Sequence, residues 1–171
     1  MYEIIIGNIC SLCAMITDSI SGTRTKPSQI LGIQIVSQFF YALGSIVLKG
    51  YSAVAQNIVA VLRNFAAIKE VKSRALGWGL VLLGVVLGIL FNNLGLVGWL
   101  PIVANFQYSV AVFELKGKEK ALKISFILNM LMFAVFCYMI RNYVGVVGNL
   151  VVATTTAASL VKERDEDEAL E

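Results

Sequence analysis

The chain has 171 residues, 58% hydrophobic and 15% charged, with mean hydropathy +0.79; soluble domains carry about 45–50% apolar and about 25% charged residues, so the balance argues against a soluble enzyme. No histidine occurs, which removes the commonest general base and metal ligand and rules out a Ser-His-Asp triad. The net charge is +3, and two prolines leave no room for a proline-rich linker.

The apolar residues fall into seven blocks near the roughly 20 residues that a bilayer-spanning helix needs. Barrel strands would be about 10 residues long with strict alternation; these blocks are longer and carry helical polar stripes. The first, Glu3–Ile20, has no basic segment before it and Glu3 at its start, so it is expected to be a retained helix rather than a cleaved signal. Asn8, Ser11, Met15 and Asp18 share one of its faces, and Cys10 and Cys13 form a C-x-x-C. With no quinone, flavin or metal signature nearby, these cysteines read as small apolar residues one turn apart. The second helix, Ile30–Leu48, carries Gln34, Ser37, Gln38, Tyr41 and Ser45 at steps of three or four. The third, Tyr51–Ile68, gathers Gln56, Asn57, Ala60, Arg63 and Asn64 in one sector. The fourth, Ala75–Leu94, is almost free of polar residues before Asn92 and contains Gly84-x-x-x-Gly88; it reads as a spacer that faces lipid and packs through its glycines. The fifth, Val97–Phe113, has Trp99, Pro101, Asn105, Phe106 and Ser109. The sixth, Ala121–Ile140, has Ser125 and Asn129. The seventh, Val144–Val161, has Asn149 and the Thr154–Thr156 run, and an acidic, solvated and disordered tail is expected to follow it.

The basic residues set an orientation, because Lys and Arg collect on the cytoplasmic side. With the N-terminus outside, twelve fall inside: Arg24, Lys26, Arg63, Lys69, Lys72, Arg74, Lys116, Lys118, Lys120, Lys123, Lys162 and Arg164. Two, Lys49 and Arg141, fall outside. The expected topology is an extracytoplasmic N-terminus and a cytoplasmic C-terminus. The positive charge is then a topology signal, and no nucleic-acid partner is expected.

A shift of 92 residues superimposes the third helix on the seventh: Tyr51 on Tyr143, Val54 on Val146, Asn57 on Asn149, Val59 on Val151 and Ala66 on Ala158. The same shift puts Ser37 on Asn129, and a shift of 91 puts Gly7 on Gly98. The expected fold is an all-α membrane protein: seven transmembrane helices as two parallel three-helix bundles joined by a linker helix, 3+1+3. Residues 1–70 form the first bundle, 71–95 the linker, 96–161 the second bundle and 162–171 the tail.

The stretches QIVSQFFYALGSIVLKGYSAVAQNIVAVLRN and VGWLPIVANFQYSVAVFELKGKEK resemble the YgjV family of bacterial inner membrane proteins. The 3+1+3 plan resembles the SWEET and SemiSWEET sugar facilitators and the PnuC vitamin transporters of the PQ-loop-like superfamily. The resemblance implies a multi-pass protein of the bacterial inner membrane. It also implies that an asparagine on the third helix of each triplet, here Asn57 and Asn149, faces a substrate. SWEET-type chains carry Pro-Gln on the first helix of a triplet; here the first helix has no proline, and Pro101 is followed by Ile102 rather than Gln, which leaves Pro101 alone as a gating candidate.

The polar stripes admit two readings. They are interhelical hydrogen-bonding glue, or they line a water-filled cavity. The cavity candidates are Asn57, Asn149, Ser37, Gln38, Tyr41, Asn129, Asn8, Ser11, Trp99 and Asn105. Arg63 lies 12 residues past Tyr51, about 18 Å along the helix. It snorkels, pairs with Asp18 or Glu114, or serves a gate or an anionic solute; Pro101 completes the candidate gating set. The expected function is facilitated passage of a small polar solute by alternating access, with no enzyme activity, cofactor, metal or coupling ion. A non-transporting structural or regulatory membrane protein is the alternative. The expected partners are the lipid bilayer and the solute, with a homo-oligomer as a further option.

Overall fold

The computed structural model describes residues 1–21, 27–69, 73–114 and 119–168. They form seven helices: α1 (Tyr2–Ser21), α2 (Pro27–Val47), α3 (Tyr51–Ile68), α4 (Arg74–Leu90), α5 (Trp99–Glu114), α6 (Glu119–Met139) and α7 (Tyr143–Glu168). No strand occurs among the described residues. The side chains of Glu114, Lys162 and Arg164, and all of Arg24, Lys26, Lys72, Lys116 and Lys118, lie outside what is described.

Local chemistry explains the boundaries. Ser73 caps α4, its hydroxyl accepting from the Leu76 amide at 3.2 Å. The expected fourth helix ran to Leu94, but α4 stops at Leu90. Asn92 diverts the chain, accepting from the Leu94 amide at 3.1 Å and donating to the Gly95 carbonyl at 2.9 Å. Gly95 takes the left-handed φ of +57° that this turn requires. At the other extreme α7 runs on to Glu168, where a disordered tail was expected. Lys, Arg and Glu are good helix formers, so the segment continues the helix already begun.

The helices close into a ring. α1 packs on α2, α2 on α3, α3 on α5, α5 on α6, α6 on α7, and α7 back on α1. α4 touches α3 and α5 and lies over the seam between them. Its inward face is Gly77, Val81, Gly84 and Gly88. A Cβ at Gly88 would meet Gln56 Nε2 and Ile102 Cγ1, each at 2.6 Å, so the missing side chain is what permits the close approach.

The ring is polar inside and apolar outside. Its buried residues are largely small or polar: Ala14, Ala53, Ala104, Ser37, Ser52, Gln56, Asn64 and Asn129 are among them. Its exposed residues are large and apolar, and on α1 they run Ile5, Ile9, Leu12, Ile16 along one stripe. Phe39, Leu43 and Ile46 do the same on α2, as do Ile124, Leu128, Leu131 and Val135 on α6. Water-soluble monomers rarely expose contiguous apolar patches of this kind.

Seven full-length spans, however, are not what the described residues offer. Tyr143–Val161 is the one described helix whose 19 residues are long and apolar enough to cross a bilayer by length and composition alone. Arg74–Leu90 is a shorter apolar helix, and Gly32–Val47 and Lys123–Met139 are the apolar stretches of the 21-residue helices α2 and α6 whose side chains are described throughout. Inward polar residues dilute α3: Gln56, Asn57, Arg63 and Asn64.

A polar cavity inside the helix ring

The two turns that enter α3 and α7 share one geometry. Lys49 and Arg141, 92 residues apart, are the two non-glycine residues with positive φ among those described, at 59° and 61°. Gly50 N–H donates to the Ser45 carbonyl and Asn142 N–H to the Cys137 carbonyl, each at 2.8 Å. Lys49 N–H reaches Ile46 at 3.0 Å, and Arg141 N–H reaches Tyr138 at 3.1 Å. Both ends are Schellman turns with a left-handed residue after the cap.

An asparagine from elsewhere in the ring grips each turn. Asn93 donates to the Lys49 carbonyl at 2.7 Å and accepts from the Tyr51 amide at 3.3 Å. Asn8 donates to the Arg141 carbonyl at 3.0 Å and accepts from the Val144 amide at 2.9 Å. These contacts, with the Lys49–Glu3 ion pair at 3.7 Å, gather the N-terminus and the α2–α3, α4–α5 and α6–α7 turns at one end of the ring. An apolar cluster of Ala53, Phe136 and Ile140, with Leu48, Leu94, Val97 and Leu100 against it, fills the ring below those turns.

Past this plug lies a cavity of about 350 Å³, to which all six ring helices contribute. Asn57 of α3 and Asn149 of α7 both line it. Each sits six residues into its helix, about 9 Å at 1.5 Å per residue. Their amides differ in commitment. Asn149 donates to the Gly145 carbonyl of its own helix at 2.7 Å, whereas Asn57 has no hydrogen bond among the described residues. Gln38, Tyr41, Asn105, Asn129 and Asp18 also line the space. Asn105 is partly occupied, donating to Gln56 Oε1 at 3.2 Å. Asp18 lies against the hydroxyls of Ser37 and Tyr41 on α2.

Other expected cavity residues sit elsewhere. Asn8 is spent on the α6–α7 turn. Ser11 is buried and accepts from Asn142 Nδ2 at 2.7 Å. Ser37 is buried, its hydroxyl donating to the Gln34 carbonyl at 2.9 Å and lying against Asp18 of α1. Trp99 is exposed on the outside of α5. Pro101 is the third residue of α5, where its missing N–H has no intrahelical acceptor to lose. It therefore makes no hinge.

Arg63 lines the cavity with its guanidinium 5.9 Å from the Tyr108 ring centroid, a cation–π distance. No described carboxylate lies within ion-pair distance of it, so the expected pairing with Asp18 is not found. Glu114 cannot be placed as its partner, because its side chain lies outside the described residues.

Several lining or bridging residues escaped the candidate set, Gln56, Tyr108 and Asn142 among them. Gln56 is buried and joins three helices, donating to the Gly84 carbonyl of α4 at 2.8 Å and accepting from Asn105 of α5. Its place in the stripe of the third helix was the available signal. Tyr108 stands three residues after Asn105, on the same helical face. Asn142 is the 92-residue counterpart of Gly50 and caps α7 by accepting from the Gly145 amide at 3.0 Å.

An all-helical ring with a small, polar interior and an apolar exterior is the build of a membrane protein. The chain belongs to the YgjV family of bacterial inner membrane proteins, whose family model matches residues 5–166. Comparison with curated proteins and with solved structures gave no match.

Proposed function

We propose that the protein passes a small polar solute across the bacterial inner membrane through the ring, by alternating access and without a cofactor or catalysis. The observation that carries this reading is the cavity itself: six helices turn polar side chains toward a space of about 350 Å³ and apolar ones toward the outside. At about 30 Å³ per water, that space suits a solute of metabolite size.

The 3+1+3 plan supports the mechanism. α1–α3 and α5–α7 have matching contacts, α4 is the added helix, and the turns into α3 and α7 agree bond for bond at a shift of 92. The two halves would rock about the cavity as parallel repeats related by an axis along the membrane normal, which also fits the PQ-loop-like placement. Seven crossings follow if α3, α4 and α5, at 18, 17 and 16 residues, are matched by local thinning of the bilayer. The end that gathers the N-terminus holds Lys49 and Arg141; among the described residues Lys69, Arg74, Lys120 and Lys123 lie at the opposite helix ends, which supports an outside N-terminus and a cytoplasmic C-terminus. The apolar plug then stands at the extracytoplasmic mouth, and this conformation is closed there.

The test is solute-driven swelling of vesicles reconstituted with purified protein, using polyols, sugars and small organic anions of graded size. Protein-bearing vesicles should admit the small members faster than empty ones, and Asn57→Trp, which fills the cavity, should abolish the difference. Equal rates in empty and protein-bearing vesicles across the series would reject transport.

A further inference from the structure

We infer that the solute held in this cavity carries an anionic group, a carboxylate or phosphate, bound by Arg63; this rests on the reading of the cavity as a solute site. The cavity wall holds one guanidinium, and no described carboxylate stands within ion-pair distance of it. Its recorded neighbour is the face of the Tyr108 ring, which orients the guanidinium without neutralising its charge. Tyr108 in turn packs on Phe126 of α6, ring centroids 5.3 Å apart, so α3, α5 and α6 meet in one layer around Arg63. The acidic residue of the same cavity, Asp18, sits on α1 against Ser37 and Tyr41 of α2, a different part of the wall.

A second observation points the same way. Asn129 lines the cavity three residues beyond Phe126, about 4.5 Å along α6. It is 2% exposed, and its Nδ2 donor has no hydrogen-bond partner. Buried donors are nearly always satisfied, so this one calls for an acceptor that the described residues do not provide. A cation and an unsatisfied donor on the wall of the same cavity are both answered by an oxygen-rich anion. A neutral sugar would satisfy Asn129 and leave the arginine charge uncompensated. Arginine is also the side chain suited to bidentate grip of a carboxylate or phosphate.

The test uses matched solutes that differ in charge: glucuronate beside glucose, benzoate beside benzamide, and glycerol phosphate beside glycerol. Each is titrated against the purified protein while its unfolding midpoint is followed. At least one anion should raise the midpoint, and its neutral partner should not. Arg63→Gln should weaken that response roughly 10- to 150-fold, the range for a hydrogen bond to a charged group. Arg63→Lys, which keeps the charge but loses the fork, should recover part of it, and Asn129→Ala should weaken it while leaving the variant folded.

Stabilisation by neutral members alone, or anion responses unchanged in Arg63→Gln, would overturn the inference and leave the cavity reading standing. The cavity reading is checked separately by reaction of Cys137, which lines the space, with a small uncharged thiol reagent in a Cys10→Ser, Cys13→Ser background. An unreactive Cys137 together with a silent panel would overturn both. A reactive Cys137 with a silent panel would overturn the anion alone.

Discussion

Polar side chains in this protein divide by what they face. Gln56 is buried and makes two hydrogen bonds to two other helices, so Gln56→Leu strands the Asn105 amide and the Gly84 carbonyl. A loss of about 1–3 kcal/mol in ligand-free stability is expected, read by unfolding in mixed micelles. Asn57→Ala removes no hydrogen bond among the described residues and should stay within about 0.5 kcal/mol of the parent. Asn149→Ala gives up one bond to its own helix and should cost about 0.6 kcal/mol, the average for hydrogen bonds between membrane helices. The order of the three is the checkable content; Asn57→Ala costing more than Gln56→Leu would assign Asn57 to packing. The stripes of α1, α2 and α3 were legible from spacing alone. What spacing could not tell is whether a stripe residue meets a cavity or a turn. Asn8 and Asn57 look alike in sequence, yet Asn8 is fixed by the carbonyl of a residue 133 positions away.

Among the helices, the repeat was the most legible feature. The 92-residue shift read from Asn57 and Asn149 also relates the ends of α2 and α6, Val47 and Met139, and the starts of α3 and α7. It did not reveal that Lys49 and Arg141 are left-handed, because neither is a glycine. A left-handed L-residue costs roughly 1–2 kcal/mol, so Lys49→Gly and Arg141→Gly should each stabilise the protein by about 0.5–1 kcal/mol. The exposed Lys49–Glu3 pair offsets little of this. Because the two turns belong to different hairpins, the double variant should be close to additive. A destabilised single variant in the same unfolding assay would mean that the side chain, not the backbone, holds that turn. The glycines of α4 were read as a packing surface, and the structure puts Gly84 and Gly88 against Gln56. Gly88→Val should therefore cost about 1–3 kcal/mol by overpacking, where the same change at Gly79, which has nothing within 4 Å, should be nearly silent.

For the whole molecule, the composition carried the membrane assignment. It could not carry the crossing count, because inward polar residues lower the apolarity of helices that the ring nevertheless needs. Orientation is testable through charge. Replacing Lys69, Lys72, Arg74, Lys116, Lys118, Lys120 and Lys123 by Gln should give mixed or reversed insertion, read by labelling a C-terminal tag in intact cells. Unchanged insertion, or a C-terminal tag labelled from outside in the parent chain, would break the orientation argument.

The two seams that close the ring are unequal. Between α3 and α5 the join is covered by α4 and tied through Gln56 to both neighbours. Between α7 and α1 no described helix lies across the join; Asn8 and Asn142 fasten it near one end, and Met15 meets Gly148 further along. A ring braced on one side and bare on the other behaves as a clasp. Its halves are expected to part most easily at α1 and α7, with the α3–α4–α5 side as the pivot. Amide exchange should show the same bias, faster along the facing surfaces of α1 and α7 than along α3 and α5. The reverse pattern would place the pivot at the uncovered seam.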